Sequence, residues 1–324
     1  SGRKRRRIGC RSGRKKAADR RSGAIRMSKL HCLNVGKADC FLLELREEET
    51  EGGRRQEARY VLIDGGSKLD KGIRPPEYLK KKGVRRLDAM ILTHLHQDHQ
   101  GWLLEIARSI QVERAVLPYP PVPLGEKELA GIGDEERMED IRTYNRLWKT
   151  LKKKGCLVET TLPRTISSFF VGEYELRCLY PFADTASRVY PMLCRLQMER
   201  PERIQAMYDS VRTLFNQDSS VWLLRKKERP LALFCGDAFH SSLAAAIGGC
   251  GLQVPVIKLS HHGRNDKGNL YFQDLLIRGL RPEIVIITAD EALAAQHMDE
   301  WRGIDSRAQL LITGLCRESA ELTL

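Results

Sequence analysis

Apolar residues in this chain recur with two periods that take turns along the sequence. Short runs that alternate, or that are apolar throughout, lie between Gly, Pro and charged residues and predict strands. In the first third these are "KLHCLNV" (29–35), "CFLLEL" (40–45), "RYVLIDGG" (59–66), "LDAMILTH" (87–94) and "ERAVLP" (113–118). "EEETEGGRRQEA" (47–58) is a polar hairpin loop, "PPEYLKKKG" a short helix opened by proline and stopped by Gly83, and "GWLLEIARSI" (101–110) a second helix. Met138, Ile141, Leu147, Trp148 and Leu151 have helical spacing within 134–154. "CLVETT", "SSFFVG" and "YELRCLYP" then predict short strands, and 185–215 predicts helices broken at Pro191 and Pro201. "SSVWLLR" and "LALFCGD" form a hairpin around 226–230. The rest alternates: helix 238–247, strand 254–259, helix 267–279, strand "EIVIIT", helix 291–301 and a last strand pair. Strands alternating with helices predict an α/β class.

Charge changes this picture at one end only. Residues 1–26 hold twelve of the 55 Lys/Arg and one of the 42 Asp/Glu, so they carry +11 of the net +13. The remainder is close to neutral. The basic stretch has few apolar residues and is expected to be a disordered tail, with the ordered pattern in 27–324. No apolar run approaches the roughly 18 residues of a spanning helix, and the basic N-terminus lacks the apolar segment of a secretory signal. Nine scattered cysteines without a Cys-x-x-Cys pair predict no disulfide framework and a reducing, cytoplasmic setting.

The chemistry concentrates in "ILTHLHQDHQGWL" (91–103), where His94, His96, Asp98 and His99 follow an apolar strand and precede a helix. A strand's carboxyl end is where α/β proteins place chemistry. Alternate residues of an extended loop face similar sides, so His94 and His96 can converge. Asp98 and His99 emerge as the chain turns into the helix and face a second point. Imidazole with carboxylate suits zinc, iron or manganese. The spacing predicts two adjacent metals, where helix capping by Asp98 would explain one residue of the four.

Thr93, His94, His96, Asp98, His99 and Gly101 match Thr-His-x-His-x-Asp-His-x-Gly, and here the sequence resembles the metallo-β-lactamase fold superfamily. "LIDGG", "LFCGDAF" and "KLSHHG" resemble its later landmarks in order. The resemblance implies a four-layer αββα sandwich with mixed sheets over 27–324, with a largely helical insertion within about 120–215. It implies that Asp64 orients the metal loop without binding metal, that Asp237 bridges two metals, and that His261 is a ligand with His262 supporting it. One divalent ion, zinc or manganese, would have His94, His96 and Asp237. The other would have Asp98, His99, Asp237 and His261. "LNVGKADCFLLE" and Asn216-x-x-Ser219 narrow the likeness to the hydrolase domain of the DNA-uptake channel ComEC and its relatives, with Ala38 and Cys40 in place of the usual Gly and Ser. No histidine lies between His99 and His240, where many dinuclear members have one; Asp218 is a substitute within reach of the pattern.

The implied activity is metal-dependent hydrolysis by a hydroxide bridging two metals, with Asp98 and Asp237 catalytic. A phosphodiester, including single-stranded DNA, is the expected substrate, and no membrane or protein partner is expected. Arg264 and Lys267 beside the late histidines, and His297 on a late helix, are candidate substrate contacts. Hydrolysis of an ester, lactone or β-lactam on the same metals, and a metal-stabilised binding module without catalysis, are the competing readings.

Overall fold

Alternation along the strands sorts side chains into separate cores, and that sorting sets the layers. The computed structural model describes residues 27–47, 57–248, 251–264, 277–304 and 307–324. The basic tail, Lys267, most of the 47–58 loop and most of the 267–279 helix lie outside them. Fourteen strands form two seven-stranded sheets. The first holds β1 (Lys29–Leu33), β2 (Phe41–Leu45), β3 (Arg59–Ile63), β4 (Arg86–Ile91), β5 (Gln111–Leu117), β6 (Leu157–Thr160) and β14 (Ser319–Thr323), in the order β14-β1-β2-β3-β4-β5-β6. The second holds β7 (Ser168–Val171), β8 (Tyr174–Tyr180), β9 (Val221–Lys226), β10 (Arg229–Phe234), β11 (Val256–Lys258), β12 (Ile284–Ile287) and β13 (Gln309–Ile312), in the order β13-β12-β11-β10-β9-β8-β7.

Each sheet changes character at its middle. β14 to β3 pair antiparallel and β3 to β6 parallel. In the second sheet β10 to β13 are parallel and β7 to β10 antiparallel. Leu30, Cys32, Phe41, Leu43, Val61 and Ile63 of one sheet meet Phe169, Leu176, Trp222, Leu224, Ala232 and Phe234 of the other in a core between the sheets. The alternate residues Leu33, Leu42, Leu62 and Met90 face helices on the first sheet's outer side. These are α1 (Pro75–Lys81), α3 (Leu103–Ser109) and α5 (Glu135–Lys153), with α2 (Gln97–Gln100) and α4 (Glu126–Ala130) between them in sequence. Val221, Leu223 and Leu233 face α8 (His240–Ile247), and Val285 and Ile287 face α9 (Glu291–Ile304). The result is the expected αββα sandwich with mixed sheets.

The interval 120–215 holds α4, α5, α6 (Val189–Arg195) and α7 (Pro201–Arg212), and with them the expected short strands β6, β7 and β8, which complete both sheets. Two expectations are revised. Pro191 does not break a helix. It sits in the first turn of α6, where its missing N–H would have had no helical acceptor, and Pro201 opens α7. The two last strands do not pair with each other: β13 joins β12 and β14 joins β1, in different sheets.

Candidate metal centre

The parallel strands end on one edge, and most of the site lies at such ends. Asp64 follows β3, the histidine loop follows β4, Asp237 follows β10, and Lys258 to His262 close β11. Two glycines permit the approach. A Cβ on Gly101 would lie 2.4 Å from the Gly66 carbonyl, so only glycine lets α2 and its donors close on the Asp64 turn. Gly236 has φ +49°, and a Cβ there would lie 2.4 Å from Ser219 Oγ.

The donors converge in two groups. Asp98, His99, Asp237 and His262 form one, and His94, His96 and Asp237 the other; within each, the donor atoms lie within 4.8 Å of one another. His94 Nε2 and His96 Nδ1 are 2.9 Å apart. Asp237 spans both groups: Oδ1 is 3.3 Å from His99 Nε2, while Oδ2 is 3.6 Å from His262 Nε2 and 3.9 Å from His94 Nε2. The far side of each ring is held. His99 Nδ1 donates to Asp64 Oδ2 (2.8 Å), His96 Nε2 to the Arg212 carbonyl (3.2 Å) and His262 Nδ1 to the Thr288 carbonyl (3.1 Å). His94 Nδ1 lies 3.1 Å from Thr93 Oγ1. Such bonds fix the tautomer and leave the inward nitrogen with its lone pair.

Asp64 is spent on orientation. Its Oδ1 accepts from the Thr93 N–H (2.8 Å) and its Oδ2 from Thr93 Oγ1 (2.9 Å) as well as from His99. Burial and opposed charges shape the rest. Burial, with His99 nearby, holds His94 well below the usual imidazole range, and burial lowers His96 as well. Burial disfavours charge on His99 and His262 too, but Asp237 heads the carboxylates that outweigh it, so His99 is pushed well up and His262 up to about 9. For Asp98, burial is opposed by His99 and His262 and the carboxyl is lowered; for Asp237, burial is opposed by His262, His99 and Lys258, and the carboxyl is held well below its usual range. His99 Nε2 and Asp237 Oδ1 are buried without a hydrogen-bond partner in the protein. Two unsatisfied buried atoms facing each other among imidazoles and carboxylates are what divalent transition metals would satisfy, and the donor set fits them.

A sequence profile described as "Metallo-beta-lactamase superfamily" matches residues 54–150, which contain Asp64 and the whole histidine loop. The αββα sandwich is metallo-β-lactamase-like. A crystal structure of a diphosphatase from the PhnP family is similar over 92% of this chain and 98% of its own, at 12% identity and a TM-score of 0.46. A long-form RNase Z from yeast is similar over 94% of this chain and 43% of its own, at 10% identity and a TM-score of 0.46. No curated protein sequence matches the chain.

Within this metallo-β-lactamase-like fold, His94, His96, Asp98, His99 and Asp237 come together. The late pair is exchanged relative to expectation. His262 is buried in the donor group, whereas His261 is partly exposed, with Nε2 4.0 Å from Asp237 Oδ2. Both residues have positive φ (51° and 54°), so the alternation that would separate two neighbours on a strand does not apply. Asp218 does not join the donors; its Oδ2 accepts from Tyr119 (2.8 Å) and Ser187 (2.5 Å). Arg264 is exposed just past the loop, with its N–H on the His261 carbonyl at 2.9 Å. His297 pairs with Glu300 at 3.0 Å and lies against Trp301 on its own helix.

Two residues of the centre escaped the sequence reading. Asp39 and Lys258 are 1% exposed and joined as an ion pair among the donors. Burial raises the Asp39 carboxyl, but Lys258, then His99 and His262, bring it down to about 2. The signals were present: a lysine in the otherwise apolar "VIKLS", and the aspartate of the "LNVGKADC" opening.

Proposed function

We propose that the chain is a metal-dependent hydrolase of phosphodiesters, with Asp98, His99, Asp237 and His262 holding one divalent ion and His94, His96 and Asp237 a second. The observation that carries this reading is the sharing of Asp237 between two adjacent donor groups. Bound there, a pair of divalent ions supplies a nucleophile from water at neutral pH and takes up charge on the attacking and leaving oxygens of an in-line displacement. A phosphodiester gains from both effects, because both oxygens carry charge. An acyl group needs only one of them.

The chain's own residues do the preparation. Asp64, the Arg212 carbonyl and the Thr288 carbonyl aim three imidazoles inward. Ser219 Oγ accepts the Asp237 N–H at 2.9 Å and so fixes the root of the shared carboxylate. Asp98 is one-third exposed while Asp237 is 2% exposed, so Asp98 is the carboxylate of the cluster that faces entering substrate. Arg264, at the exposed end of the late-histidine loop, is a candidate to receive a phosphate oxygen. Among the described residues no helix is long and apolar enough to cross a membrane. The "LNVGKADC" opening and Asn216-x-x-Ser219 support a place beside the ComEC-like hydrolase domains, for which single-stranded DNA is the substrate to try first. The test is turnover by zinc- or manganese-loaded protein of bis(p-nitrophenyl) phosphate, single-stranded DNA, an aryl ester and nitrocefin. Hydrolysis of the first two supports the reading; rapid opening of nitrocefin or the ester, with both phosphodiesters intact, replaces it with acyl hydrolysis.

A further inference from the structure

A lysine with no exposed surface lies at the floor of the donor cluster, and none of the chemistry above uses it. Lys258 closes β11 with its side chain on the donor side. Its Nζ donates to the Gly236 carbonyl at 2.8 Å, pairs with Asp39 Oδ2 and stands 3.6 Å from Asp237 Oδ1. Asp39 reaches the cluster from the other sheet. Its Oδ1 lies 3.4 Å from His262 Nδ1 and its Oδ2 3.8 Å from His99 Nδ1. Its backbone N–H donates to the Asp98 carbonyl at 3.1 Å, and its carbonyl accepts from Gly66 N at 2.7 Å. Every contact of the pair named here ends on a donor residue, on the neighbour of one, or on the turn that orients them.

A buried ion pair is a poor way to stabilise a fold, since desolvating both charges offsets their attraction and apolar residues of the same size often serve as well. This pair is placed where an apolar pair could not serve. It sets a cation beside the buried oxygen of Asp237 that has no hydrogen-bond partner, and a carboxylate behind His262. We infer that Asp39 and Lys258 are positioning residues of the metal centre: Lys258 holds the Asp237 carboxylate in the orientation that serves both donor groups, and Asp39 holds Lys258 in place while its charge backs His262, whose Nδ1–H goes to the Thr288 carbonyl. The inference rests on the metal-centre reading and adds to it two residues that touch no metal.

The test uses the full chain and zinc itself. Lys258→Met and Asp39→Asn each leave the other charge buried and alone, and each is expected to lower the melting temperature of the metal-free protein. The double variant leaves neither charge. It is expected to melt within a few degrees of wild type while binding zinc roughly 10–100-fold more weakly in competition with a chromophoric chelator. Its cobalt-loaded form should show altered d–d absorption, because the donors are less well held. A double variant with wild-type zinc affinity and an unchanged cobalt spectrum overturns the inference, and so does one that melts as low as the single variants, since the pair would then be structural. A wild-type chain that takes up no zinc or cobalt removes the metal-centre reading, and the inference with it. Wild type that binds metal but cleaves no phosphodiester leaves the inference standing and removes only the substrate.

Discussion

The two halves of the donor cluster are built in opposite ways. His94, His96, Asp98 and His99 come from one loop after β4, six residues from end to end. Asp237 and His262 come from the ends of two neighbouring parallel strands of the other sheet, separated by a helix. The first half needs only a strand, a turn and a glycine where α2 meets the Asp64 turn. The second needs two parallel strands and their crossover helix, and the two halves meet only when the sheets are packed face to face. The contrast teaches that the local half supplies most of the donor atoms while the distal half brings the two groups together, because the carboxylate common to both lies there.

Removing that carboxylate is the largest way to break the arrangement. Asp237→Ala should cost metal from both groups and lower turnover on the order of 10³-fold, the rate equivalent of several kcal/mol of lost charge stabilisation; elemental analysis beside steady-state kinetics checks both, and retention of either metal would mean the carboxylate is not shared. Next comes the pair on the distal loop. His262→Ala should lose about one metal equivalent and on the order of 100-fold in turnover, while His261→Ala keeps its metals and loses less than about tenfold. The reverse order would restore His261 as the ligand.

A smaller effect comes from acid and base, measured as the melting temperature of metal-free protein. His262, raised to about 9, and His99, also raised, stabilise the fold fully below their unfolded value of about 6.5, and that contribution is lost as pH rises through the folded value. His94 and His96, both lowered, act the other way and cost stability as pH falls below about 6.5. Metal-free protein should therefore be most stable near pH 6.5 and lose on the order of 5 °C towards pH 9. Metal-loaded protein should not show the alkaline fall, since bound donors are neutral throughout; equal slopes for the two forms would show that these histidines do not meet the metal. Smallest of all, His240→Ala should leave metal content unchanged, since that residue opens α8 and stands in neither donor group.

The same contrast explains what could be read from the sequence. The loop half was legible because four ligand-type residues in six positions have no cheaper explanation, and the strands were legible because alternation records which face meets which core. The choice between His261 and His262 was not, because it depends on two successive left-handed residues. Asp39 and Lys258 were invisible as partners because they are 219 positions apart in sequence and meet only across the packed sheets. The strands within 120–215 were legible as short runs but their place was not: β6 and β7 have four residues each, and pattern alone does not say that they form the edges of the two sheets.

One pairing bears on how the chain is made. β1 lies between β2 and β14, with Lys29 opposite Thr323 and Leu33 opposite Ser319. β1 therefore keeps one edge open while everything between β2 and β14 is made. An open strand edge is a template for pairing with another chain. The interval between making β2 and making β14 is thus one in which a nascent molecule can join its neighbour, and slowing translation would lengthen it.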